Sequence, residues 1–422
     1  MSHVVVLGAG VVGITTAYYL NKAGHRVTVI ERNAHAGLET SYANGGQLSY
    51  SYVAPLAGPG VVPKIPPWLL RADSPLRFYP KFDLDQWRWC LDFVRACNRP
   101  QAEISTVHLL RLAYYSRDLI HDIVANEPIT FDYRRNGKLV IFSDDASFDG
   151  ATRTLDFQRA FGSQQNALDG KACLLLEPAL DHIRNRIVGG IHTQSEDAGD
   201  CHDFCVAMEA LLRNRGVTFL TSTSVDRFIR NDSRTRINAV CTTAGDIEAD
   251  AFVMAMGATN AWHAKQLGFY LPIYPLKGYS LTLDTSAAKT VASAPRISVT
   301  DSAYKIVYAL LGNELRIAGM ADIAGYNTTL DPVRVGLLTR QAKAVFPDAG
   351  NYEADLKPWC GLRPATPKGT PIIGASPIGN LFLNAGHGAL GWTLSCGCAK
   401  AVSDLISGRP AAIALEGLTL EA

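Results

Sequence analysis

Val4-Val5-Val6-Leu7-Gly8-Ala9-Gly10-Val11-Val12-Gly13 stands almost at the start of the chain, and Arg26-Val27-Thr28-Val29-Ile30-Glu31 follows it closely. The first four residues are an unbroken aliphatic run, as a parallel strand buried on both faces requires. A helical pattern continues from Gly13 through Ala17 and Leu20 and stops at Gly24, the residue type favoured just past a helix end. The second run is again strand-like and ends in an acid. Strand, glycine turn, helix, strand and terminal carboxylate, in this order, describe a unit that binds the ADP half of a dinucleotide. Gly8 permits the tight turn, Gly10 lets the backbone approach a pyrophosphate, and Gly13 lets the helix pack closely on the sheet. The N–H groups around Val11 and Val12, with the helix dipole, favour phosphate charge. Glu31 is placed to accept hydrogen bonds from both ribose hydroxyls, and its charge disfavours a 2′-phosphate. Arg32 is counted with it among the cofactor contacts. The motif by itself does not separate FAD from NAD.

Beyond this unit lies a polar, glycine-rich loop, Glu39-Thr40-Ser41-Tyr42-Ala43-Asn44-Gly45-Gly46-Gln47. Such a loop can run along the rest of an extended dinucleotide, with Ser41, Asn44, Gln47 and the backbone at Gly46 reaching its flavin end. Near the other terminus come Gly361-Leu362-Arg363-Pro364, the strand-like Leu381-Phe382-Leu383-Asn384, and Gly386-His387-Gly388-Ala389-Leu390-Gly391-Trp392-Thr393. The last stretch repeats strand, glycine turn and helix, and the helix runs on to Ile406. Its start offers unpaired N–H groups suited to the N1–C2=O end of a reduced flavin, where negative charge accumulates. Gly386, His387, Gly388, Leu390, Gly391, Trp392 and Thr393 are therefore assigned to the cofactor. So are Val225 and the glycine turn at Gly257.

These segments resemble the bacterial D-amino acid dehydrogenase family. The resemblance rests on Glu39 to Gly46, on Gly361 to Pro364 and on Gly386 to Thr393. It extends through Leu176-Glu177-Pro178-Ala179-Leu180, Asp197-Ala198-Gly199-Asp200 and Tyr274-Pro275-Leu276-Lys277-Gly278-Tyr279-Ser280, and so runs the length of the chain. It implies a cofactor of FAD, membership of the superfamily that includes D-amino acid, glycine and sarcosine oxidases, and hydride transfer from the substrate Cα to flavin N5. It also implies Arg363 as the anchor of the substrate carboxylate. A guanidinium fork matches a carboxylate bidentately. Tyr279 is the candidate for a second substrate contact, with Tyr52 and Tyr304 as weaker ones. His387, between two glycines, is read as a backbone contact to the cofactor rather than as a base. The products expected are a 2-oxo acid and ammonia, with electrons passed to a quinone or another acceptor that is not O₂.

Three rival readings stand beside this one. The first is an oxidase or dehydrogenase of glycine, sarcosine or a cyclic imino acid such as D-proline or D-hydroxyproline. The second is an NAD-dependent dehydrogenase, which leaves the two later glycine segments idle. The third is a flavin-binding module without catalysis.

The 422 residues suffice for two or three folded units, and 47% of them are hydrophobic. The fold expected is α/β, a Rossmann-like FAD-binding domain with a discontinuous α+β substrate domain built on an antiparallel sheet. Residues 1–55, 186–261 and 356–422 are assigned to the FAD-binding domain, and 56–185 and 262–355 to the substrate domain. Helices are expected over residues 83–97, 104–126 and 200–215, and antiparallel strands from about 262 to 345. Forty basic and thirty-nine acidic residues give a net charge of +1, which argues against nucleic acid as a partner. Nine scattered cysteines without Cys-x-x-Cys spacing point to neither a metal centre nor a disulfide framework. None lies in a segment resembling a flavin-linkage motif, so the FAD is expected to be non-covalent.

No transmembrane span or signal peptide is read, and a reducing cytoplasm is expected. The apolar loop of residues 53–70 carries Val61-Val62, Ile65 and Trp68-Leu69-Leu70, with Lys64 and Arg71 as flanking basic residues. It suits either a lid over the active site or an amphipathic patch that docks on the inner face of the plasma membrane.

Overall fold

The computed structural model describes residues 1–65, 74–286 and 293–421. Its first sheet has six strands in the order Ile372–Ala375, Leu381–Ala385, Ala251–Met254, His3–Leu7, Arg26–Ile30 and Thr218–Leu220. All pairings are parallel except the one between Ile372–Ala375 and Leu381–Ala385. Alternation along the central strand shows why the run Val4 to Leu7 is apolar throughout. Val4 and Val6 pack toward the helices Val11–Lys22, Cys201–Asn214 and Gly391–Ile406. Val5 and Leu7 pack the other way, in a cluster with Ile237 and Val240 of a three-stranded antiparallel sheet.

The second sheet has nine strands. Its main path runs Leu356–Ala365, Tyr274–Asp284, Glu314–Ile323, Ile306–Leu311, Ser298–Asp301, Lys138–Phe142, Gly189–Thr193 and Asn166–Asp169. The short strand Leu76–Phe78 adds in parallel to Glu314–Ile323. Most pairings are antiparallel, and Ser298–Asp301 runs parallel to Lys138–Phe142. The α/β class with a larger, mainly antiparallel second unit is thus the architecture observed.

Several expectations change in detail. Leu356–Ala365 does not return the chain to the first sheet, because it pairs residue for residue with Tyr274–Asp284, from Tyr274 opposite Ala365 to Leu283 opposite Leu356. Gly189–Thr193, assigned by sequence to the cofactor unit, likewise pairs with Lys138–Phe142. In both places the chain leaves the second sheet only after the strand has ended, through the turns at 194–196 and 366–371. The strands expected up to residue 345 give way to a helix, Pro332–Val345. Asp331 caps it by accepting from Val333 N–H, a proline opens it, and Leu338, Ala342 and Val345 bury one stripe in the second core.

The two units are tied together through the loop that follows the second strand. Arg316, in the second sheet, donates to the Asn44 carbonyl at 3.1 Å and pairs with Asp200 at 2.9 Å. Asp200 in turn caps the helix Cys201–Asn214.

Candidate active site

A cavity of about 1150 Å³ runs between the two units, from the first glycine turn to the start of the last helix. That exceeds the ~300–1,000 Å³ of ordinary small-molecule pockets, as a dinucleotide together with a substrate would require. At one end, the helix Val11–Lys22 begins at Gly10, which has no side chain to cap it, and among the described residues Val11 alone of the first N–H groups meets a side chain, Ser41. Geometry leaves the N–H groups of Val12 and Gly13 without intrahelical acceptors. A Cβ on Gly13 would overlap the Gly8 carbonyl oxygen and sit 2.8 Å from its carbon. A Cβ on Gly10 would meet only Ser41 Oγ, at 3.5 Å. Gly13 therefore serves helix-on-strand packing, and Gly10 leaves open the side that a pyrophosphate would approach.

Glu31 lines this end, but its carboxylate is already engaged. Ala9 N–H donates to Oε2, and Asn33 donates to Oε1 from both its backbone and its side chain, each at 2.8 Å. A carboxylate has roughly four acceptor positions, so one remains for a ribose hydroxyl rather than the two expected. Arg32 pairs with Glu39 at the rim. Val225 and Gly257 both line the wall.

The loop after the second strand is divided differently from the sequence reading. Ser41 accepts the Val11 N–H at 3.0 Å, which places its hydroxyl at the pyrophosphate end and not the flavin end. Asn44 Oδ1 accepts from Gly46 N–H in a local turn. Gln47 Nε2 donates to the carbonyls of Val299 and Tyr308, at 3.1 and 3.0 Å, and so anchors the loop to the second sheet. A polar loop looks the same in sequence whether its side chains face a ligand or clamp a neighbouring strand.

At the other end the helix Gly391–Ile406 starts against the cavity, again without a side-chain cap. Thr393 Oγ1 accepts from Ser49 N–H at 3.0 Å. Trp392 is a packing residue, with its indole N–H on the Gly199 carbonyl and its ring against Phe131 and Phe204. Gly386, Gly388, Leu390 and Gly391 all line the cavity. His387 lines it as well, is 3% exposed, and leaves Nε2 without a hydrogen-bond partner. Burial pushes its pKa down to about 3, so the imidazole is neutral and a poor base near pH 7. A buried polar atom without a partner is what a bound ligand would satisfy.

Arg363 projects from Leu356–Ala365 into the same space. Its guanidinium lies over Gly278, where a Cβ would come within 2.5 Å of Nη2. Its Nη1 donates to the Met320 carbonyl at 2.8 Å, and among the described residues no carboxylate forms an ion pair with it. Met320 holds φ +60 within its strand, a conformation that costs a non-glycine residue about 1–3 kcal/mol. The carbonyl aimed at Arg363 belongs to that strained residue. Asp322, the carboxylate whose charge acts on Arg363, is taken by Arg334 at 2.7 Å and by the Tyr279 hydroxyl at 2.9 Å. Tyr279 lines the cavity, but its hydroxyl donates its proton to Asp322, which leaves the oxygen only as an acceptor toward a substrate. Burial and that carboxylate both push its pKa well up. Tyr304 sits under Arg186 instead, whereas Tyr52 does line the cavity.

Leu276 stands directly opposite Arg363 across the strand pair. It belongs to an apolar cluster with Ala57, Trp89 and Phe93, whose two rings stack at 5.3 Å. Sequence reasoning missed this wall, Met320 and the role of Gly278. Only Gly278 had a signal, as a glycine inside an otherwise strand-like run.

The glycine turn, the uncapped helix start and the unpartnered imidazole fit a flavin dinucleotide laid along the cavity. Among the described residues no group of three or more His, Cys, Asp or Glu could hold a metal ion. The family model described as FAD dependent oxidoreductase matches residues 3–405. The chain belongs to this family of FAD-dependent oxidoreductases, and FAD is its cofactor. It is 46% identical to a D-amino acid dehydrogenase 2 of Ralstonia nicotianae over 98% of both chains. A D-amino acid dehydrogenase of Paramagnetospirillum magneticum is 42% identical over 99% of this chain and 98% of its own. Among solved structures, a glycine oxidase from Geobacillus kaustophilus superposes with a TM-score of 0.78 at 21% identity, covering 100% of this chain and 99% of its own. An L-proline dehydrogenase from P. horikoshii superposes at 0.77 and 18%, covering 99% and 96%. At such identities these structures speak for the fold alone.

Proposed function

We propose that this enzyme oxidises D-amino acids to 2-oxo acids and ammonia, with electrons leaving to a quinone or another acceptor that is not O₂. The observation that carries the reading is Arg363, a half-buried guanidinium facing the cavity with a backbone carbonyl as its hydrogen-bond partner. A carboxylate is the ligand that such a fork is shaped to receive. The names of the relatives at 42% and 46% identity supply the D configuration and the dehydrogenase class. Bound FAD supplies the two-electron acceptor, and the protein supplies position and field. Arg363 holds the substrate carboxylate, Gly278 keeps the guanidinium low on the sheet, and the Met320 carbonyl fixes its rotation. Strong base catalysis has no candidate in His387, whose neutral ring suits a contact with the cofactor.

The wall of Ala57, Trp89, Phe93 and Leu276 beside Arg363 favours substrates with apolar side chains. The test is an anaerobic panel of D- and L-amino acids, read by reduction of an artificial electron acceptor. D-amino acids with aliphatic or aromatic side chains should outpace D-aspartate and D-lysine at least tenfold in kcat/KM, and L-isomers should be inert. Turnover of glycine or sarcosine with stoichiometric peroxide, and none of D-amino acids, would sink the reading. So would reoxidation by air as fast as by a soluble quinone analogue.

Docking on a membrane surface, near a quinone pool, is part of the same proposal. No helix among the described residues is long and apolar enough to cross a membrane. The helix Leu84–Ala96 buries Trp89 and Phe93 on one side and exposes Leu84, Trp87 and Leu91 on the other. Phe82 stands exposed just before it. This helix packs on Ala57 and Val61 of the apolar loop. The Trp68-Leu69-Leu70 triplet and Arg71 lie outside the described residues. Co-sedimentation with vesicles containing anionic lipid should be lost in a Leu84→Asp, Leu91→Asp variant that keeps its activity toward a soluble dye. A parent protein that stays in the supernatant would remove the docking claim.

A further inference from the structure

Lys138 opens the strand Lys138–Phe142, whose other four residues are apolar and buried. It is itself almost wholly buried, yet it lines the cavity. Nothing in the grip on the substrate uses it. Its Nζ donates to Ser49 Oγ at 2.8 Å and lies 4.2 Å from the centre of the Tyr52 ring. Ser49 is pinned by its own N–H to Thr393 Oγ1, in the first turn of the last helix. The ammonium therefore sits two hydrogen bonds from the helix start assigned to the flavin.

On the far side of the same segment lies Glu196, fully buried, which accepts the N–H groups of Tyr50 and Ser51 at 2.7 Å each. Burial pushes the Lys138 pKa down and the Glu196 pKa up, and each charge pulls the other back toward its ionised form. Lys138 does not spend its hydrogen bond on Glu196. It turns past it toward the cavity, with a hydroxyl and an aromatic face as its contacts. Glu196 offsets part of the cost of burying this cation, but on its cavity side the ammonium faces no carboxylate among the described residues, so a negative charge arriving there would be stabilised.

The reaction brings such a charge. A hydride carries two electrons and one proton, so FAD held here would carry one more negative charge after accepting it. We propose that Lys138 is the electrostatic partner of the reduced cofactor, its ammonium holding the charge that hydride uptake leaves at the flavin end of the cavity. Glu196 keeps the ammonium charged and placed while the cofactor is oxidised. The inference rests on FAD-dependent oxidation and not on the choice of D-amino acids, so the substrate panel and the experiment below fail independently.

The test is the two-electron midpoint potential of bound FAD, titrated against a dye of known potential, in Lys138→Met, Lys138→Gln and Lys138→Arg. Glutamine keeps an N–H donor for Ser49 without the charge, and arginine keeps the charge. The Met and Gln variants should lower the reduction equilibrium constant at least tenfold, a shift of about 30 mV to more negative potential. Lys138→Arg should stay near the parent. A Gln or Met variant with full FAD content and the parent potential would overturn the proposal. Loss of FAD in both charge-free variants, against full content in the Arg variant, would make Lys138 a structural ion and overturn it too.

Discussion

Replacing Arg363 with alanine is expected to lower kcat/KM by about one and a half to three and a half orders of magnitude while leaving FAD content near that of the parent. Truncating one partner of a buried charge pair costs about 2–5 kcal/mol, and each ~1.4 kcal/mol is a factor of ten. Stability should change little, because the hydrogen bond of the half-buried guanidinium goes to the Met320 carbonyl and not to a carboxylate. Arg363→Lys should recover only part of the loss, since a point charge cannot reproduce the fork. Steady-state kinetics with a dye acceptor, alongside flavin absorbance and a thermal melt, would check all three statements. Parent kinetics in the alanine variant would move the carboxylate anchor elsewhere. A collapse in melting temperature would instead mark Arg363 as a strut of the second sheet.

The second large effect separates two glycines of one motif. Gly13→Ala should abolish FAD binding and destabilise the apoprotein, because its Cβ would overlap backbone on the adjoining turn. Overpacking of this kind costs about 1–3 kcal/mol even where side chains can yield, and a carbonyl in a tight turn yields less. Gly10→Ala should leave the melting temperature of the apoprotein unchanged, since its Cβ meets only Ser41 Oγ at an ordinary 3.5 Å. It should still reduce FAD affinity at least tenfold, because the added methyl stands on the side the pyrophosphate would approach. Melting curves of apoprotein and FAD titrations of both variants provide the check. Equal stability in the two apoproteins would contradict the packing role given to Gly13.

How legible these features were in the sequence depended on whether their cause was local. The run Val4 to Glu31 encodes strand, turn and helix through neighbouring residues, and the structure follows it closely. The last helix, Gly391–Ile406, was legible for the same reason. Leu356–Ala365 was misplaced because its identity as a strand of the second sheet is fixed by Tyr274–Asp284, far away in sequence. Ser41, Gln47 and Tyr279 have polar groups of the right kind, but distant partners had already claimed them. Met320 could not have been found at all. Nothing in a methionine announces a left-handed backbone, which arises here where the strand pairing shifts register between Lys277 and Tyr279.

Gly278, Met320 and Arg363 belong to three neighbouring strands, and no contiguous stretch of chain contains them all. The grip on a carboxylate is therefore absent from any excised peptide and comes into being only when those strands have closed their long loops and settled in register. Partial opening of the second sheet would erase it before the first sheet is disturbed. By mass action, a small carboxylate bound at Arg363 should in turn raise the protection of amide hydrogens across all three strands.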